Sequence, residues 1–114
     1  MPLPAEIKRS MDIIFAAYCA RRSPEHLKNK LIISHKIRGN SVTIYERRPR
    51  FSKPDEWYEM IVAKFRFDSK TETWTLYYPD KNSRLHKYTE IEPTADIAVL
   101  LEEVDENPTR IFWG

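Results

Sequence analysis

Between residues 4 and 21 the apolar side chains Ile7, Met11, Ile14, Phe15 and Tyr18 recur at helical spacing, with Lys8, Arg9 and Asp12 on the opposite side. The pattern predicts an amphipathic helix, with Pro4 in its first turn, where a missing N–H costs little. Ser23-Pro24-Glu25 has the form of an N-cap followed by proline at the first helical position, which predicts a short helix over 24–30. Beyond it the repeat changes from helical to alternating. Runs at 31–38, 41–48, 60–67 and 73–78 are rich in β-branched and aromatic residues and predict four strands, with a fifth at 84–89. Gly39-Asn40 supplies a two-residue hairpin turn with glycine first, Ser69 to Glu72 a four-residue loop, and Pro79-Asp80-Lys81-Asn82 a type I turn. Thr94 is the expected cap of a last helix whose apolar stripe is Ile97, Leu100, Leu101 and Val104. Asp96 favours its start, and Asn107-Pro108 ends it. Strands without intervening helices form an antiparallel meander, so the expected class is α+β. The expected architecture is an N-terminal helix, a meander of four to five strands, a C-terminal helix and a short apolar tail, all within one domain, 1–114.

The turns set the registers. With Gly39-Asn40 at the tip, Ile37 faces Val42, His35 faces Ile44 and Ile33 faces Glu46. The reverse of that hairpin then carries Lys36, Arg38, Thr43, Tyr45 and Arg47. In the second hairpin, Asp68 opposite Thr73 sets Phe67 against Trp74, Phe65 against Leu76 and Ala63 against Tyr78. Its reverse carries Lys64, Arg66, Thr75 and Tyr77. Both hairpins sort the same way, apolar inward and Lys, Arg, Tyr and Thr outward. The outward face suits a nucleic acid, because aromatic rings stack bases while cations track phosphates. The simpler reading is a solvated face whose long side chains cover their neighbours. The third hairpin has ambiguous parity, which leaves His86 and Tyr88 unassigned to a face.

Composition narrows the classes. The chain has 114 residues, with 19 Lys+Arg against 17 Asp+Glu, 41% hydrophobic and 32% charged, an ordinary globular balance. No apolar run reaches the roughly 20 residues of a membrane span, and no secretory leader is expected. One cysteine, Cys19, excludes an internal disulfide and a cysteine-based zinc cage, and fits a reducing cytoplasm. Two glycines, Gly39 and Gly114, exclude a P-loop or a dinucleotide fingerprint. No cofactor is expected. Charge is uneven: residues 1–50 carry 11 Lys+Arg against 4 acids, a net of +7, whereas residues 51–114 carry 8 against 13, a net of −5. Such asymmetry predicts one basic and one acidic surface. The acidic half suits self-association as a homodimer.

Three groups of residues carry candidate chemistry. His35 and Glu46 lie diagonally on the apolar face, where a carboxylate beside a histidine forms an acid–base pair or, more simply, a satisfied polar pair at the sheet rim. His26, His35 and His86 show no i,i+4 spacing, and no metal site is expected. Glu46-Arg47-Arg48-Pro49-Arg50-Phe51 is the densest basic segment; Pro49 forces Arg48 toward extended geometry, and arginine forks suit phosphate or carboxylate. Asp55, Glu56 and Glu59 follow closely and compete for the same guanidinium groups. The chain closes on Ile111-Phe112-Trp113, which is too apolar to stand in water and is expected to be buried, within the chain or across an interface.

The chain resembles a small bacterial family of proteins of about this length known as a domain of unknown function. The resemblance rests on Glu46-Arg47-Arg48-Pro49-Arg50-Phe51, on Val62-Ala63-Lys64-Phe65-Arg66, and on Trp74 with Leu76-Tyr77. It runs on through Asp80, Asn82, His86, Tyr88 and Asp105 to the closing Pro108-Thr109-Arg110-Ile111-Phe112-Trp113-Gly114. The family more often has glycine where Arg110 stands and tryptophan where Tyr78 and Leu85 stand; glycine at the first position would permit a positive φ. The resemblance implies a bacterial, cytosolic origin and carries no activity or catalytic residue with it. Two readings of function follow. The first is a non-catalytic binding module engaging a protein or nucleic acid through Lys36, Arg38, Tyr45, Arg47, Arg48, Arg50, Lys64, Arg66 and Tyr77. The second is a small nuclease-like, toxin-like enzyme using His35, Glu46 and His86.

Overall fold

In the computed structural model, which describes residues 2–23 and 30–113, helix α1 spans Ala5–Arg22. Pro4 stands one position outside it, at the N-cap, where its carbonyl accepts the Lys8 N–H at 2.9 Å. Met11, Phe15, Tyr18 and Cys19 form the buried stripe and Ile7 packs at its margin. Ile14, expected inside, is 37% exposed. Tyr18 and Cys19 carry the inward line past it, so Ile14 falls at the edge of the stripe. The short helix expected over 24–30 lies outside the described residues, apart from Lys30 in a turn.

Five strands follow: β1 (Ile32–Arg38), β2 (Ser41–Pro49), β3 (Trp57–Asp68), β4 (Thr73–Pro79) and β5 (Leu85–Lys87), then α2 (Ile97–Glu106). They form one antiparallel sheet in the order β1-β2-β3-β4-β5, because each short connection returns the chain beside the strand it has just left. The fold is α+β. Gly39 takes φ +58° at the first hairpin tip, a conformation glycine adopts without steric cost. His35 stands opposite Ile44 and Ile33 opposite Glu46, while Phe67 stands opposite Trp74 and Phe65 opposite Leu76, as the turns predict.

One irregularity in β3 was not legible in the turns. Ile44 pairs with Ala63 but Tyr45 pairs with Ile61, so Val62 is an inserted bulge residue. An insertion reverses the parity of everything before it. Trp57, Glu59 and Ile61 therefore join the outward face, and Tyr58 and Met60 turn toward the helices.

Both helices cover the same side. Phe15 of α1 packs edge-on against Phe65 of β3 at 5.1 Å between ring centroids. Ile97, Leu100, Leu101 and Val104 of α2 enter the same core, with Trp74 and Leu76 beneath. Helix α2 is capped by Asp96, whose side chain accepts the Ala98 N–H at 3.0 Å, and not by Thr94. Thr94 is held upstream by an isolated bridge, exchanging backbone bonds with Trp74 at 2.7 and 3.1 Å. Asn107 ends α2 in the left-handed region at φ 50°.

The tail is tied down within the chain. Phe112 is 6% exposed and meets Tyr88 at 5.1 Å, and its N–H donates to Asn107 Oδ1 at 3.0 Å. Trp113 lies half-buried beneath the Arg22 guanidinium, 4.1 Å from the ring centroid. Arg22 also pairs with Asp105 at 3.2 Å, to which the Tyr18 hydroxyl donates. Burial, and then the Asp105 charge, pushes Tyr18 up to about 12. Ile111, expected inside with its neighbours, is 36% exposed. Arg110 takes φ 59°, so this chain enters the left-handed turn without the glycine that suits it.

Candidate functional site

Among the described residues no helix packs on the outward face of the sheet, and Pro2 and Pro4 border only one end of it. Its side chains come from alternate positions of all five strands and fall into rows across the strands. One row runs Lys36, Thr43, Lys64, Tyr77 and Lys87 from edge to edge; the next runs Arg38, Ser41, Arg66 and Thr75. The rows produce columns: cations on β1, β3 and β5, hydroxyls on β2 and β4. Ser41 and Thr43 are 7% and 9% exposed, so the β2 column lies low between taller basic side chains on either side. Strand spacing places the β1 and β3 cations about 10 Å apart, and those two residues apart on one strand about 7 Å apart.

Counter-charge on this face is sparse. Lys36 pairs with Glu59 at 3.1 Å and also lies over the Tyr45 ring at 4.6 Å. Arg47 lies over Trp57 at 6.0 Å. Among the described residues Arg38, Arg47, Lys64, Arg66 and Lys87 form no ion pair. Asp68, at the end of β3, accepts the Lys70 N–H at 2.9 Å. A groove of about 580 Å³ opens at this end of the face, with Arg66, Thr75 and Tyr77 along its side.

Of the nine residues expected to bind a partner, seven share this face: Lys36, Arg38, Tyr45, Arg47, Lys64, Arg66 and Tyr77. Two do not. Arg48 has the parity of Glu46, turns to the helix side and donates to that carboxylate. Glu46 is 7% exposed, and a buried carboxylate so close in register draws the guanidinium to it. Arg50 lies beyond the end of β2, paired with Glu56 at 3.8 Å and over Tyr58 at 5.7 Å. Lys87 and Trp57 belong to the face but were missed. The signal for Lys87 was Asp80, whose Oδ1 accepts the N–H groups of Asn82 and Arg84 at 2.8 and 2.9 Å and so fixes the turn and the parity of β5. Trp57 was hidden by the Val62 bulge.

The residues of the nuclease-like reading are not brought together. His35 lies on the edge strand β1 with its Nε2 2.8 Å from Asp12 Oδ1. His86 lies on the opposite edge, β5, with its Nε2 2.8 Å from Asp80 Oδ2. Four strand spacings, about 19 Å, separate these two strands. Glu46 is engaged by Arg48 on the strand between. His86 and Tyr88 both turn to the helix side, where His86 stacks near Tyr78 at 5.5 Å and Tyr88 donates to Glu103 at 2.7 Å. The His86 hydrogen bond, followed by the Arg84 N–H, holds Asp80 below the usual carboxylate range. Burial pushes the Cys19 thiol up to about 11, which leaves it protonated and unreactive at neutral pH. Among the described residues no three His, Cys, Asp or Glu side chains are grouped to hold a metal ion, and no helix is long and apolar enough to cross a membrane.

A small α+β protein with one face of its sheet left bare and basic is the class this geometry defines. The chain belongs to the family described as a domain of unknown function (DUF3024), whose match covers residues 3–114. No curated protein and no solved structure gives a significant match to it.

Proposed function

We propose that the protein is a non-catalytic binding module that engages nucleic acid through the uncovered face of its sheet. The observation that carries this reading is the array of Lys36, Arg38, Lys64, Arg66 and Lys87, in which one member alone has an acidic partner among the described residues. At separations of about 7–10 Å such cations repel each other by about 0.4–0.6 kcal/mol per pair even in bulk water. The sheet gains nothing from that repulsion. A phosphate backbone offsets it, and the counterions it releases drive binding. The reading assigns the protein to a reducing bacterial cytoplasm, where the buried Cys19 stays a thiol.

An acidic protein surface is the competing occupant. The exposed Glu102 and Glu106 of α2 mean that a second copy of the chain offers such a surface, which would give a homodimer. Salt titration separates the two. A labelled oligonucleotide should bind at low salt with a steep log–log salt dependence. Replacing Lys36, Arg38, Lys64 and Arg66 by alanine should make that slope shallower by roughly 3 units, at about 0.7–0.9 per lost phosphate contact. Absence of oligonucleotide binding at low salt, or an unchanged slope, removes the reading. A sedimentation mass that halves in the variant assigns the face to self-association instead.

A further inference from the structure

The outward face holds three aromatic rings, and they are not equivalent. Tyr45 lies under the Lys36 ammonium at 4.6 Å, and Trp57 has the Arg47 guanidinium 6.0 Å from its ring centre. Tyr77 has neither a cation nor another ring against it among the described residues. Its neighbour Tyr78 faces the other way, tilted against His86 and edge-on to Tyr88. Tyr77 is also flanked on both sides by lysines directly opposite it, Lys64 on β3 and Lys87 on β5. The groove of about 580 Å³ beside it is walled by Pro4, Asn40, Arg66, Lys70 and Thr75. That volume falls within the range of small-ligand sites, about 300–1,000 Å³. Asp68 also lines it, with one carboxylate oxygen engaged by the Lys70 N–H.

We infer that Tyr77 is the stacking subsite for one base of a single-stranded nucleic acid, with Lys64, Lys87 and Arg66 taking the phosphates on either side. The inference rests on the basic-face reading above and narrows it. A sheet of five strands is about 19 Å across, wider than the roughly 12 Å major groove of a DNA duplex, so it cannot enter one to read base edges. A single strand needs no entry. Its bases are unpaired, and each offers a π-face to an exposed ring while its backbone meets cations spaced along the sheet. A half-buried tyrosine with no ring or cation packed on it, between two lysines, provides both halves of that recognition within one row.

Fluorescence anisotropy with a labelled 12-nucleotide oligo-dT and a 12-base-pair duplex, at one low salt concentration, tests it. The wild-type chain should bind the single strand more tightly than the duplex. Tyr77→Ala should weaken single-strand binding by about 5- to 160-fold, the effect of losing one stacked base, while Tyr77→Phe should stay within about twofold. A 2-aminopurine placed within the oligo-dT should be quenched on binding to the wild type, a readout that does not depend on any variant folding. Duplex bound as tightly as the single strand, an unquenched 2-aminopurine, or equal losses in Tyr77→Ala and Tyr77→Phe would overturn the stacking assignment and leave the basic-face reading standing. Failure of the wild type to bind either oligonucleotide overturns both.

Discussion

The two faces of the sheet are built from alternate residues of the same five strands, and they have opposite characters. The helix side holds Val42, Ile44, Ala63, Phe65, Trp74 and Leu76, all 2% exposed or less, and is covered by α1, α2 and the tail. The outward side holds Lys36, Arg38, Lys64 and Arg66 over the low hydroxyls of Ser41 and Thr43, and among the described residues no helix packs on it. On the covered side each position is determined by volume and water exclusion, so replacing a residue changes stability. On the bare side the backbone ladder is already complete and the side chains make few contacts, so replacing a residue changes charge and leaves the fold alone. The contrast separates the residues that build the protein from those free to meet a partner. It also explains why Arg47 and Arg48, adjacent and identical in type, have different roles.

The comparison can be tested from both sides. Trp74→Ala removes a ring 2% exposed and packed at a tilt against Phe67 at 5.0 Å, and should cost about 3–5 kcal/mol in chemical denaturation. Tyr77→Ala, three residues on and facing out, should change stability by less than about 1 kcal/mol; equal losses in the two variants would mean the faces do not divide as described. Truncation after Arg110 removes Phe112 and Trp113 and should cost about 2–4 kcal/mol, read as a lower Tm at unchanged sedimentation mass. Arg48→Ala should cost about 1–2 kcal/mol, because Glu46 is left buried without its donor. Arg47→Ala should alter stability by less than about 0.5 kcal/mol and act on oligonucleotide binding alone. Arg110→Gly should raise stability by about 0.5–1 kcal/mol, since glycine occupies φ 59° without the strain of a side chain.

The smallest effect concerns pH. The Asp80 carboxyl titrates lower in the folded chain than when unfolded, through His86 first and the Arg84 N–H second. Its contribution to stability is therefore present above the unfolded value and disappears as pH falls through the folded one. Asp80→Asn should flatten the acid limb of the stability profile below the usual carboxylate range while leaving neutral-pH binding on the outward face unchanged. A steep limb that survives the substitution would place the acid sensitivity elsewhere.

Much of the fold was legible along the chain because its determinants are local. Period-two alternation with tips at Gly39-Asn40 and Ser69–Glu72 dictates which residues face each other, so the inward and outward sets of the first two hairpins follow from turn geometry alone. The stripe of Ile97, Leu100, Leu101 and Val104, and its stop at Asn107-Pro108, are equally local. The features that escaped are those in which distant groups compete for one partner. Whether Arg48 points outward or turns in to Glu46 depends on how deeply that carboxylate is buried, which is decided by the helices and tail packed over it. The Val62 bulge sets ten residues of β3, Trp57 to Arg66, against nine of β2, Ser41 to Pro49, and no residue marks it beforehand. His35 and His86 read as potential partners along the chain, yet strand order places them on opposite edges, each beside its own aspartate. Turn geometry already put the cations of the first two hairpins, Lys36, Arg38, Lys64 and Arg66, on one face; only the sheet adds Lys87 to them, because the pairing of β4 with β5 fixes a parity the third turn left open.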